Sequence, residues 1–329
     1  MILSKFHAKV ISILTIILFL IIPTNGLGWG FFAHKLINRQ AVFTLPPEMI
    51  PFFKKNIEYI TENAVNPDRR RYAVEGEAPR HFIDLENFGN QPFEELPKSW
   101  NEAVEKFTED TLMAHGTAPW NVYRVFNQLT RAFENKDASA ILRFAADLGH
   151  YIGDLNVPLH TTANYNGQLT NQYGIHGFWE SRLPELFSDE YDFFVGRANY
   201  VDDPTEYIWQ ALKETNAALD SVLTFEKELT ARFGEARKWG FEDRGQITTR
   251  VYSRTFSRAY HDMLGGQVEH RMRKSIKMIG DFWYTAWVNA GQPDLLELAG
   301  YEMDPQTLSK MEKEREDWEK GKLNVREHN

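Results

Sequence analysis

An all-α fold, organised as a single-domain multi-helix bundle, is predicted by three observations on this 329-residue chain. Apolar residues recur at spacings of three and four over long stretches, the period of a helix buried along one side. No strand-like alternation of any length interrupts them. A composition of 43% hydrophobic and 14% aromatic residues, without repeats or low-complexity linkers, is enough to bury one sizeable core.

The elements follow in order. Residues 1–28 begin with Lys5 and Lys9, run through the apolar VISILTIILFLII at 10–22, and close with Gly26 and Gly28. That is the pattern of a cleaved secretory signal, and the run falls short of the roughly 20 apolar residues that span a membrane. An exported product, periplasmic or extracellular, is the expectation. The chain has no cysteine, so a lipid-modified cysteine anchor is excluded, and any stapling beyond the core must come from something other than disulfides, such as metal ions. Cleavage after Gly28 makes Trp29 the first mature residue, with a free amine near His34. A mature domain over 29–303 and a charged tail over 304–329 complete the expected organisation.

A first helix is expected over 33–45, ended by Leu45-Pro46-Pro47, and a short second one over 49–64. Residues 66–88, with Asp68, Arg69, Arg70, Arg71, His81 and Asp84, have weak periodicity and read as a polar loop. Three long helices are expected over 99–115, 119–134 and 138–154, the last capped by Asp137. Further helices are expected over 203–230, 246–264 and 267–289, stopped by Gly291 and Pro293.

The densest chemistry lies at 145–180. His150 and Asp154, and again His176 and Glu180, are four residues apart, so each pair places an imidazole and a carboxylate on one helical face. Such a pair is a metal pincer; it is also an ordinary helix surface pair, and the doubling with His160 between favours metal. Pro158 ends or kinks the first helix, which frees His160 to serve a different ion from His150 and Asp154. The formal charge of −9 argues against a broad basic face for long nucleic acid, while a local basic site remains compatible. Most aromatic residues fall at helical spacing and read as core.

Taken together, Trp29, His34, Asp68, His81, His150, Asp154, His160, His176 and Glu180 resemble, in order, the ligands of the superfamily that joins zinc-dependent phospholipase C to the single-strand-specific nucleases. The resemblance runs from Trp29 to about Leu183. It implies three Zn2+ ions per chain: one on Asp68, His81, His150 and Asp154, a second on the Trp29 amine and carbonyl, His34 and a shared Asp154, a third on His160, His176 and Glu180. It implies hydrolysis of a P–O bond by a metal-bridging hydroxide, with Asp68 orienting or deprotonating the attacking water. Arg71 matches a phosphate-contacting arginine of the nucleases, with Arg69 and Arg70 as alternatives. Phe82 and Asp84 match positions that line the nucleobase pocket there, within a His-Phe-x-Asp run that both branches share.

Within that resemblance the sixteen positions from His160 to His176, and Glu180 in place of Asp, lean toward a phospholipase C-like phosphodiesterase acting on a phospholipid head group. The short spacing from Trp29 to His34 and the GIHGFWESRLPE stretch lean toward a single-strand-specific nuclease or 3′-nucleotidase. No protein partner is implied. A third class, an exported helical protein with purely structural zinc, is disfavoured because such sites prefer cysteine.

Overall fold

The computed structural model describes residues 31–244 and 247–298, together with 300, 301, 309 and 313. The expected signal segment, Trp29 and nearly all of the charged tail lie outside the described residues.

The helix Ala138–Leu155 is the axis of the fold. Asp137 caps it by accepting from the Ala140 amide at 3.0 Å. The chain leaves it at Asn156, ahead of Pro158. From Ala145 to Leu155 every residue is buried, because the helix is apolar on nearly all sides and is wrapped by neighbours. Those neighbours are Phe31–Ala41, Ile57–Asn63, Ala118–Glu134 and Gln267–Asn289. The last of these is tied in through the Trp283 indole, which donates to the Ala145 carbonyl at 3.1 Å. Phe53 stacks on the same indole at 5.2 Å.

Asp147, His150 and Asp154 interrupt this apolar helix as one stripe, three and then four residues apart. Two glycines set how near the first helix comes to that stripe. A Cβ on Gly149 would fall 2.0 Å from the Asn38 side-chain oxygen, and one on Gly153 would fall 2.8 Å from the His34 ring. The missing side chains therefore bring His34 up against the His150 and Asp154 end of that stripe.

Several expected elements differ. Residues 66–71 are a helix, Asn66–Arg71, with Pro67 at its start and Asp68 in its first turn. These are ordinary start signals in a segment too short to show a period. The stretch expected as one helix over 99–115 breaks at Thr108, which takes a positive φ of 67° and caps the second piece. The stretch over 203–230 bends at Ala218 into Pro204–Ala217 and Leu219–Phe233. In place of a helix over 246–264 the chain forms an antiparallel hairpin, β1 (Trp239–Arg244) and β2 (Ile247–Tyr252), then the helix Arg254–Met263. The run Ile247-Thr-Thr-Arg-Val-Tyr252 is rich in β-branched residues, which crowd a helix and suit a strand. Helices still make up most of the described residues, so the fold class is all-α with one hairpin attached.

The hairpin braces the last ligand segment. Residues Phe178–Arg182 form a π-helical turn, a local form found disproportionately at functional sites. Phe178 stacks flat on Tyr252 at 3.7 Å, and Arg182 forms a two-pronged pair with Glu242 at 2.7 and 2.5 Å.

The glycine approach inverts a general rule. Gly→Ala inside a helix normally stabilises by about 0.5–1 kcal/mol. For Gly153→Ala a destabilisation of about 1–3 kcal/mol is expected from overpacking against His34, read by denaturant unfolding; a gain in stability would show that the close helix contact does not exist.

Candidate metal centre

Five histidines and three carboxylates from separate segments meet beside the central helix, in three groups whose ligand atoms lie within 4.8 Å of one another. His34 comes from the first helix, Asp68 from Asn66–Arg71, and His81 from the 3-10 turn Ala78–His81. His150 and Asp154 come from the central helix, and His160 from the 3-10 turn Pro158–Thr161 that follows Pro158. His176 and Glu180 straddle the junction of Ile175–Gly177 with the π turn.

Asp154 stands at the centre and uses both oxygens. Oδ2 lies 2.8 Å from His81 Nδ1 and 3.2 Å from His150 Nε2, while Oδ1 lies 3.2 Å from His34 Nε2. Asp68 Oδ1 is 3.7 Å from both His81 Nδ1 and His150 Nε2. His34 stacks on His150 at 3.9 Å. In the third group, His176 Nε2 lies 2.8 Å from Glu180 Oε1, His160 Nε2 lies 3.2 Å from Glu180 Oε2, and the two imidazole nitrogens are 3.2 Å apart. Trp29 lies outside the described residues.

Whether these donors suit zinc can be judged from their spacing. Tetrahedral ligands at the usual zinc–nitrogen distance of about 2.0–2.1 Å sit roughly 3.3 Å apart, and the separations here run from 2.8 to 3.7 Å, bracketing that value in the Asp68/His81/His150 group and lying just below it in the His160/His176/Glu180 group. The far sides of the rings are also arranged for a metal. His150 Nδ1 meets the Ala64 carbonyl at 2.8 Å, His160 Nδ1 meets the His81 carbonyl at 2.5 Å, and His176 Nδ1 meets the Tyr165 carbonyl at 3.1 Å. A donor N–H on that side leaves Nε2 as the lone-pair nitrogen facing the group, the usual support of a metal-bound histidine.

Electrostatics follow from this crowding. Burial, then the His150 charge, lower His34, and burial lowers His81 and brings His160 down to about 4. His150 goes the other way: burial depresses it, but Asp154 and Asp68 outweigh that and raise it to about 9. Asp154 is held well below the usual carboxylate range by His150 and His160 in spite of its burial. Burial, reinforced by the Asp154 and Asp68 charges, pushes Glu180 well up.

Asp68 is the most open carboxylate of the centre, its side chain 17% exposed against 2–3% for Asp154 and Glu180. All three members of the third group are buried, so the more accessible edge belongs to Asp68. Arg71 is buried with its guanidinium 3.9 Å from Asp68 Oδ1. The neighbouring arginines are committed elsewhere. Arg69 donates to Asn66 and lies over Phe31, and Arg70 forms a two-pronged pair with Asp147 at 2.9 and 3.3 Å. Arg71 is therefore the arginine that accompanies Asp68 and the candidate ligands.

Phe82 and Asp84 lie on the extended stretch after His81. The Ile83 amide between them donates to the His160 carbonyl at 2.9 Å, and the Asp84 amide donates to His115 at 2.7 Å. Both side chains are buried.

The sequence reading missed Glu77. Its buried carboxylate accepts from the Tyr151 hydroxyl and from Arg80, and lies 3.8 Å behind His81 Nε2. The spacing from Glu77 to His81 is the same four residues as in the two pincers, and that was the available signal.

Along its sequence the chain is 24% identical over 198 residues to nuclease S1 of Aspergillus oryzae, a match that covers 55% of this chain and 63% of that nuclease. The chain thus spans somewhat less than two thirds of this curated relative. Among solved structures, the alpha toxin from Clostridium absonum aligns over 83% of this chain and 66% of the toxin, with a TM-score of 0.45 and 14% identity. No family model matches.

Zinc requires neutral imidazole and ionised carboxylate, whereas His150, raised to about 9, carries a proton at neutral pH before a metal binds. Zinc uptake at pH 7 is therefore expected to release protons, and zinc affinity is expected to rise with pH until His150 is neutral. Calorimetry in buffers of different ionisation enthalpy measures the release; heats independent of buffer would contradict it.

Proposed function

We propose that this chain is an exported zinc-dependent phosphodiesterase. The observation that carries the reading is the sharing of Asp154 between histidines of different ligand groups, with a third group and a buried arginine alongside. Structural zinc sites are closed units built for folding; contiguous groups around a bridging carboxylate suit chemistry on a phosphate. Export is supported by Lys5 and Lys9 ahead of the apolar run at 10–22.

Zinc bound in such groups supplies Lewis acidity toward phosphate oxygens and brings the pKa of water toward neutrality. The remaining contributions come from the chain. Asp68, the accessible carboxylate, orients the attacking water and accepts its proton. Arg71, one helical turn from Asp68, places a fixed positive charge where phosphate oxygens gather negative charge. His160, His176 and Glu180 form a second pole, linked to the first through the His81 carbonyl that holds the His160 ring. An in-line displacement needs charge stabilised at both the attacking and the leaving oxygen, and the two poles answer to those two places. Phe82 and Asp84, following His81, are assigned to substrate binding.

Two substrates each have an observation in their favour. The sequence similarity to nuclease S1 favours single-stranded nucleic acid. The spacing from His160 to His176 and the identity of Glu180 favour a phospholipid head group. Purified mature protein is expected to contain about three zinc ions per chain and to lose all phosphodiester hydrolysis on treatment with chelator, regaining it with zinc. Parallel assays on single-stranded DNA and on phosphatidylcholine separate the two readings. Metal-loaded protein that cleaves neither would leave only a structural role for the ions.

The His160→Ala variant should stay folded by circular dichroism, lose about one zinc by elemental analysis, and lose turnover by about 100-fold. Full activity with one ion fewer would remove the third group from the mechanism.

A further inference from the structure

Behind the metal centre, across Glu77 and Tyr151, lies an open cavity of about 400 Å³ between the helices Asn66–Arg71, Ala118–Glu134 and the start of Ala138–Leu155. We propose that this cavity is a second anion site and takes a phosphomonoester. The inference stands on the cavity alone and does not rest on the phosphodiesterase reading.

The first ground is charge. Arg70, Arg80, Arg124 and Arg143 line the cavity together with Glu77, Asp137 and Asp147, a net of one positive charge (four minus three) in a chain whose formal net charge is −9. Each carboxylate already has a partner. Glu77 accepts from Arg80 at 2.5 Å and from Tyr151, Asp147 pairs with Arg70, and Asp137 caps the central helix. Arg124 donates only to the neutral amides of Asn121 and Gln128, and Arg143 lies over the Phe144 ring at 4.4 Å. Among the described residues neither of these two arginines forms an ion pair.

The second ground is the helix behind them. Asp137, Ser139 and Ala140 of the cavity wall form the N-terminal turn of the 18-residue central helix. Its positive dipole end is capped by the Asp137 carboxylate, which removes one of the three acids of the cavity wall from competition for the arginines. The third ground is shape. The cavity exceeds what a bare phosphate fills, and Tyr59 and Phe144 are among its lining residues, apolar surface for whatever the phosphate is attached to. A dianion with three terminal oxygens matches two forked guanidiniums that lack carboxylates; a phosphodiester monoanion would answer only one.

The test uses the zinc-loaded full-length mature chain and inorganic phosphate as the probe, followed by calorimetry. Arg124 and Arg143 are exposed at the cavity mouth, so the double variant Arg124→Gln/Arg143→Gln should fold, keep its zinc and keep its basal turnover. A phosphate-binding event that weakens at least tenfold in that variant, yet persists in His160→Ala, supports the site. The opposite pattern, loss in His160→Ala and no change in the arginine variant, places all phosphate binding in the metal centre and overturns it, as does an isotherm that neither change alters. Repeating the titration with adenosine monophosphate and with phosphocholine tells a nucleotide source from a lipid head-group source by which binds more tightly to the wild type and loses that advantage in the arginine variant.

Discussion

The Asp154 carboxylate is the point on which the rest depends. An ionised carboxylate in the interior is costly unless charge and hydrogen bonds answer it. Here the answers arrive from the first helix (His34), from the turn carrying His81, and from its own helix (His150), all within 3.2 Å. Each of these segments is brought to the central helix by ordinary apolar packing, with Gly149 and Gly153 admitting the first helix, and each delivers one imidazole to this anion. A cation held among the groups would supply counter-charge to Asp154 and Glu180, the two buried carboxylates, and to the more open Asp68. Folding and metal uptake would then be coupled, since the same residues that complete the interior would also fill the coordination sphere.

A second layer keeps the ligands aimed. Backbone carbonyls of Ala64, His81 and Tyr165 hold the far nitrogens of His150, His160 and His176. The middle contact matters most, because the main chain of one ligand orients the ring of another and so ties the third group to the first two. Farther out, the hairpin clamps the π turn through Phe178 on Tyr252 and Arg182 on Glu242. Glu180, which has to meet two histidines at once, sits between those two clamps.

What the sequence made legible was local. The pincers His150/Asp154 and His176/Glu180 follow from four-residue spacing, and the departure of His160 from the helix follows from Pro158. The helix Ala118–Glu134 and the central helix were readable because their apolar stripes are long. Where the reading failed, a short signal was overruled by a longer pattern or by tertiary context. Apolar periodicity carried the expected helix straight through Thr108, although Thr-Glu-Asp is a helix start in its own right. The β-branched run at 247–252, with Gly245-Gln246 before it, was absorbed into a helix that begins only at Arg254. Glu77 and the close approach permitted by Gly149 and Gly153 depend on which segments meet, and no spacing along the chain states that.

The three consecutive arginines show how such tertiary choices divide similar residues. On a helix, successive side chains point about 100° apart, so Arg69, Arg70 and Arg71 cannot share a role. Arg71 falls on the face of Asp68, one turn away, and is carried into the metal centre. Arg70 is turned to the other end of the polar stripe on the central helix, where Asp147 holds it at the wall of the arginine-lined cavity. The stripe Asp147, His150, Asp154 therefore has an end paired with arginine and an end among the candidate metal ligands, and Glu77 with Tyr151 stands between them, touching Arg80 on one side and backing His81 on the other. An anion that drew Arg80 away from Glu77 would leave that carboxylate to Tyr151 and Arg70 and strengthen its pull on the His81 ring. The two ends are thus joined by a chain of direct contacts, through which occupancy of the cavity has a physical route to the geometry of the metal ligands.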